Sequence, residues 1–200
     1  MPILPHLAAA ALTAPVIILT PADYPQDALS QDQSAAALVA ISLDSTGRAT
    51  ACETRQTAGH ERLARRICGL LLKRRHTPSK LRDGTPVNAE IVTLMRLFIP
   101  DTFEGSRVAK LTQKPDVELS VNHLPGNAKS ADVRIALAIN EAGSVSDCGA
   151  DYREKQAALV AVACSDPARF GTYPLRNAGG PAQPYVTQLK VRFMAEAPQP

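Results

Sequence analysis

The stretch GRATACETRQTAGHERLARRIC, residues 47–68, carries two of the chain's four cysteines, Cys52 and Cys68, with fifteen residues between them. A second stretch, GSVSDCGADYREKQAALVAVAC at 143–164, places Gly143, Cys148 and Cys164 each 96 positions downstream of Gly47, Cys52 and Cys68. The same offset aligns residues 43–99 with 139–195 without a gap, and Leu63 then meets Leu159, Pro78 meets Pro174, Gly84 meets Gly180 and Arg96 meets Arg192. Seven identities in 57 positions are few as raw similarity. They include both cysteines, two glycines and a proline, each hard to replace for a separate physical reason, so the set reads as an internal duplication.

Ahead of each glycine lies an alternating apolar run. In VRIALAI these are Val133, Ile135, Leu137 and Ile139, and in ALVAISL they are Ala37, Val39, Ile41 and Leu43. Period-two alternation predicts a strand with one buried face. LDSTGRA and INEAGSV supply Asp or Asn and Gly for a tight turn, so each first strand is expected to fold back into a second carrying Cys52 or Cys148. HERLARRICGLLLKRR, 60–75, spaces Leu63, Ile67, Leu70 and Leu71 as a helix. REKQAALVAVAC is a shorter helix stopped by Asp166 and Pro167. NAEIVTLMRLFI and YVTQLKVRFMA close the units as strands. The fold class expected is α+β: two tandem strand–strand–helix–strand (ββαβ) units, each with a small antiparallel sheet packed on one helix. The boundaries expected are an apolar N-terminal segment over 1–22, a first domain over 23–99, a linker over 100–116 broken by Pro100, Gly105 and Pro115, and a second domain over 117–196 that begins with an extra strand, VELSVNHL.

In such a unit a cysteine on the second strand faces one on the helix above it. Local disulfides Cys52–Cys68 and Cys148–Cys164 are therefore expected, each worth about 3 kcal/mol in the chain-entropy account. They staple cores poor in aromatics, since only 4% of residues are aromatic and none is Trp. They also call for an oxidising compartment. Zinc would show close pairs such as C-x2-C, and the chain has none. A catalytic thiol would need a histidine, but Gln156 and Thr172 stand in the second copy where His60 and His76 stand in the first. His6, His60, His76 and His123 read as loop or helix-end residues, and no phosphate loop, G-x-S-x-G or H-E-x-x-H pattern occurs. No catalytic residue, metal or cofactor is expected.

Composition is that of a globular protein, 45% hydrophobic and 20% charged, with a net charge of +3. The excess is local: Arg62, Arg65, Arg66, Lys73, Arg74, Arg75, Lys80 and Arg82 face only Glu61 between residues 60 and 82. Without interleaved aromatics this reads as a solvated helix face rather than a nucleic-acid site. Residues 1–20, MPILPHLAAAALTAPVIILT, are uncharged and mostly apolar, as in a secretory signal ending near Thr20–Ala22. Pro2, Pro5 and Pro15 disfavour a spanning helix, and a segment packed on the domain is the other reading.

Residues 24–98 resemble the TonB C-terminal domain family. The resemblance is carried by Tyr24, Pro25 and Ala28, the Asp44–Arg48 turn, Gly59, Leu63, the basic helix end leading to Pro78, and DGTPV at 83–87. The second copy looks like a degenerate relative that keeps Gly143, Leu159, Pro174 and both cysteines. The resemblance implies a non-catalytic periplasmic module that takes an extended peptide of an outer-membrane receptor, or another envelope protein, as an added strand on its last strand. On this sequence that maps to the edge at residues 91–98, with Val92, Leu94 and Arg96 facing outward, and with Tyr24 and Pro25 as the entry motif. The inward set is Ile91, Thr93, Met95 and Leu97. An open edge is also compatible with a homodimer. The alternative is an energy-transducing component tethered to the inner membrane through residues 1–20. Against it, the apolar segment runs almost directly into Tyr24 with no Pro-rich spacer.

Overall fold

The structure, a computed structural model, describes residues 11–176 and 180–196. After a 3-10 turn at Pro21–Asp23 come α1 (Gln26–Leu29), β1 (Ala35–Leu43), β2 (Ala49–Gly59), α2 (Glu61–Leu72), β3 (Ser79–Lys80), β4 (Pro86–Leu97) and α3 (Phe103–Lys110). There follow β5 (Val117–Val121), β6 (Ser130–Ile139), β7 (Val145–Ala150), α4 (Ala157–Ala163), β8 (Leu175–Arg176), β9 (Ala182–Gln183) and β10 (Tyr185–Ala195).

The two small antiparallel sheets expected from the repeat do not form. Six strands in the order β2–β1–β4–β10–β6–β7 make one mixed sheet, which β3 extends on β4 and β5 extends on β10 to eight strands, while β8 and β9 pair apart. The halves join through β4 and β10, paired in parallel with Asn88, Ala89 and Glu90 opposite Tyr185, Val186 and Thr187. The physical reason is that β4 and β10, left as edges, would each present a row of unpaired main-chain groups. Side chains on the second face of the inner strands are small enough to be buried too: Ala136, Ala138 and Val186 are buried alongside Val133, Ile135, Leu137 and Ile139.

The register fixes where the helices lie, because paired residues share a face. Ile41 opposite Ile91 puts the odd-numbered residues of β1 and β4 on one face, where Leu63, Ile67 and Leu71 of α2 pack. Tyr185 opposite Asn88 puts the odd-numbered residues of β10 on the other face, where Leu159 and Val160 of α4 pack with Ile135, Leu137 and Phe193. A half-turn about a line running between β4 and β10 therefore exchanges the two cores.

Equivalent positions in the halves do equivalent work. Asp44 and Asn140 each accept, through Oδ1, the main-chain N–H four residues on, at 3.0 Å. Gly47 and Gly143 follow at φ 79° and 81°. Disulfides join Cys52 to Cys68 and Cys148 to Cys164, with Cα separations of 5.4 and 5.6 Å, tying β2 to α2 and β7 to the end of α4.

The stretch expected as a linker contains α3. Gly105, read as a breaker, lies inside it: the Thr102 hydroxyl caps the helix by accepting the Gly105 N–H at 3.0 Å, and a Cβ on Gly105 would stand 1.8 Å from the Ile99 carbonyl oxygen. Glycine here permits close approach. Of the N-terminal apolar segment, residues 1–10 lie outside the described residues. The remainder packs on the sheet: Leu12 and Ala14 are buried against Val87, Ala136, Ala138 and Val186, and Thr13 bridges to Lys80. Among the described residues no helix is long and apolar enough to cross a membrane.

Candidate functional site

The joint between the halves is short. Pairing of β4 with β10 stops at Glu90 and Thr187, whereas β4 continues beside β1 as far as Leu97 opposite Ala35. From Val191 onward β10 pairs instead with β5. Residues 111–116 enter the gap: Asp116 and Lys190 exchange hydrogen bonds, with Asp116 N–H on the Lys190 carbonyl at 2.8 Å and Lys190 N–H on Asp116 Oδ2 at 2.7 Å. Gln113 Nε2 donates to the Val92 carbonyl at 3.4 Å, Lys190 Nζ donates to the Gln113 carbonyl at 2.8 Å, and the Arg96 guanidinium donates to the Leu111 carbonyl.

The stretch 91–98, expected as an outer edge of a small sheet, is thus an inner strand whose second side opens on a cleft. The cleft holds about 460 Å3 between residues 15–19, residues 93–96, Phe98, Arg134, Gln188 and residues 151–153. The Glu90 and Val92 carbonyls point to this side, since they accept from Thr187 Oγ1 at 2.7 Å and from Gln113 Nε2. By the period of two, the main-chain groups of Leu94 and Arg96 do the same. Two buried polar atoms at the split, Arg96 Nε and Gln113 Oε1, have no hydrogen-bond partner among the described residues. A buried donor or acceptor left unmatched costs about 1–3 kcal/mol.

A second groove, also about 460 Å3, continues from the first past Leu19, Arg96 and Phe98. Its walls are apolar: Tyr24, Leu29, Leu97, Ile99 and Pro100. Of these, Leu29 stands exposed, as does Phe98 at its mouth.

The residues expected to bind a partner fall in different places. Leu94 and Arg96 line the cleft, and Arg96 also lines the apolar groove. Val92 is half-buried, and its side chain borders a smaller cavity with Arg55, Tyr173 and Tyr185. Tyr24 forms a wall of the apolar groove while its hydroxyl donates to the Gln33 carbonyl. Pro25 is buried as the residue that starts α1. Of the inward set, Ile91, Met95 and Leu97 are buried and Thr93 is half-buried.

Sequence reasoning missed Gln113, Arg134, Asp151 and Arg153, which arrive from the linker and the second half. Arg134 left a trace: it is the one charge in VRIALAI, on the face otherwise made of Ala136 and Ala138. Burial pushes the Asp116 carboxyl up, opposed by the Lys190 N–H and by Arg134. Burial likewise raises Asp151, opposed by the Tyr152 N–H and by Arg134. Arg96 is pushed down, by burial first and then by the charge of Arg134. Nearby, hydrogen bonds from Arg192 and then Lys190 hold Asp132 down at about 2.

The basic cluster on α2 is partly neutralised, with Arg66 on Asp27 at 2.7 Å, Arg74 on Asp23 at 2.5 Å, and Arg65 on Glu61. Arg82 instead ties the halves together through Asp147 at 2.8 Å.

Comparison with protein-family models, with curated proteins and with solved structures finds no match to this chain. The split sheet and its cleft are therefore interpreted from their own chemistry: guanidinium and amide donors, carbonyl acceptors, and an apolar floor beside them.

Proposed function

We propose that the chain is a non-catalytic protein-interaction module that takes an extended peptide as an added strand along the open side of β4. One observation carries this reading: β4 leaves β10 after Glu90 and continues in unbroken register beside β1 to Leu97, so beyond Val92, whose carbonyl Gln113 takes, the second side of β4 at Leu94 and Arg96 borders a cleft instead of a strand. A peptide backbone supplies N–H and C=O groups alternately, which is what an unpaired strand side accepts. It also offers an acceptor to the unmatched Nε of Arg96, a residue that borders the cleft. The two disulfides fit an oxidising, extracytoplasmic compartment. We place the module in the periplasm, with an outer-membrane receptor peptide or another envelope protein as partner, in keeping with the resemblance of residues 24–98 to the TonB C-terminal domain family.

The test is amide hydrogen exchange on the full chain with and without an acetylated eight-residue peptide of alternating threonine and valine. Strand addition protects the amides of Leu94 and Arg96 and leaves those of Ile91, Thr93 and Met95, already on the β1 side, unchanged. Leu94→Pro removes a cleft-facing donor while sparing the β1 ladder, so it should weaken binding about tenfold or more at little cost in thermal midpoint. Equal protection of both sets, or none at millimolar peptide, overturns the reading.

A further inference from the structure

Three guanidinium groups from three separate places converge on the cleft: Arg96 on β4, Arg134 on β6 and Arg153 just beyond β7. Among the described residues none has a carboxylate partner of its own. Arg134 forms no ion pair among the described residues and acts on Asp116 and Asp151 only at longer range. Those two acids are already engaged, Asp116 Oδ2 by the Lys190 N–H, and Asp151 Oδ1 by Gln188 Nε2 at 3.0 Å and the Tyr152 N–H at 2.7 Å. Arg153 lies 4.9 Å over the ring of Tyr152. Arg96 spends one nitrogen on the Leu111 carbonyl and leaves Nε buried and unmatched.

We infer that the strand taken by the cleft is acidic, an extended peptide with a carboxylate side chain seated among Arg96, Arg134 and Arg153 and an apolar side chain in the groove of Tyr24, Leu29 and Phe98. The inference rests on the strand-addition reading and adds the chemistry of the ligand to it. Like charges held together in a partly desolvated site repel, and Arg96 is pushed down by burial first and then by the charge of Arg134. A carboxylate between them removes that repulsion and supplies the acceptor that Arg96 Nε lacks, in the charge-assisted geometry guanidinium groups favour. A neutral or basic strand leaves both costs in place.

The apolar requirement follows from continuity. Arg96 borders both cavities, so a ligand whose carboxylate meets Arg96 places the next side chain on the same face, about 7 Å along an extended chain, at the mouth of the apolar groove. Beyond Arg96 and Thr20 that groove is walled by apolar side chains, among them Leu19, Tyr24, Leu97 and Pro100, and suits an apolar side chain better than a second carboxylate. The ligand pattern is an aliphatic or aromatic residue and an acidic residue two positions apart.

The experiment compares two acetylated, amidated probes on the full oxidised chain: Thr-Val-Thr-Leu-Thr-Asp-Thr-Asp, and the same peptide with lysine for both aspartates. Affinity is read by fluorescence anisotropy, and main-chain docking by exchange at Leu94. The acidic probe should bind about tenfold or more tightly in low salt, with the advantage shrinking as salt screens it. Arg134→Gln and Arg153→Gln, exposed side chains whose loss leaves the core intact, should each lower acidic-probe affinity about three- to tenfold and leave the lysine probe unchanged or improved. Replacing the leucine of the acidic probe by serine should cost about tenfold. If both probes bind equally and both protect Leu94, strand addition stands and the assignment of an acidic ligand falls. If neither protects Leu94, both readings fall together. Displacement of the acidic probe by inorganic phosphate that protects no β4 amide would mark a small-anion site and overturn the proposal as well.

Discussion

Gly47 and Gly143 show how a single atom can set a turn. Both sit at positive φ, and a Cβ would meet the His76 carbonyl oxygen at 2.2 Å in the first case and the Pro174 nitrogen at 2.6 Å in the second. Each carbonyl is then captured from the same place in the repeat by different chemistry. The His76 main-chain N–H donates to Gly47 at 2.8 Å, and the Thr172 hydroxyl donates to Gly143. Gly47→Ala should cost about 3 kcal/mol or more, combining the left-handed penalty with displacement of backbone. Gly84→Ala, at φ 86° with open space around it, should cost about 1 kcal/mol. Urea midpoints for the two variants measure the difference, and equal losses would show that the close approach contributes nothing. The glycines were legible in the sequence because both needs, positive φ and absence of Cβ, admit one residue type. His76 and Thr172 were not, because a main-chain donor and a hydroxyl do the same job and leave no shared letter.

At the scale of elements, alternation revealed the strands and spacing revealed α2, yet neither could reveal which strands lie side by side. Alternation reports the face a side chain takes and says nothing of the edges, where β4 and β10 meet through main-chain groups. The sign that was present is IALAI at 135–139, apolar on both faces and buried throughout, as in a strand covered from two sides. The disulfides were readable because their loops close within one half. Their importance to the two helices differs. α2 has twelve residues, an N-terminal cap from His60 and the buried side chains of Leu63, Ile67 and Leu71. α4 has seven residues, no side-chain cap, and Leu159, Val160 and Ala163 as its buried set. Replacing either cystine by two serines should cost about 3 kcal/mol overall. Hydrogen exchange should distinguish them: the Cys148→Ser, Cys164→Ser chain should lose protection throughout α4, whereas the Cys52→Ser, Cys68→Ser chain should keep most of it in α2. Equal loss in both helices would mean that capping and burial do not support α2 as argued.

Over the whole molecule, the cleft exists because the two halves meet along only part of their length, and three features hold that arrangement. Arg82 grips Asp147 with both ends of its guanidinium at 2.8 and 2.9 Å, Asn88 donates to Gln183, and residues 11–19 lie across the joint. The last is the most consequential, since it roofs the junction and forms one wall of the cleft. Leu12 and Ala14 cover Val87, Ala136, Ala138 and Val186, a patch drawn from both halves. Cleavage near residues 20–22, where a secretory signal would end, strips this cover and leaves the 3-10 turn at Pro21–Asp23 as the new start. A chain beginning at Thr20 should therefore lose about 2–4 kcal/mol of stability, mostly from re-exposing Leu12's contacts. It should also bind a hydrophobic dye where the longer chain does not. The Leu12→Ser variant of the longer chain should reproduce part of the loss without shortening anything. If the shortened chain melts at the same temperature and takes up no dye, the segment is a passenger on the sheet and the cleft owes nothing to it.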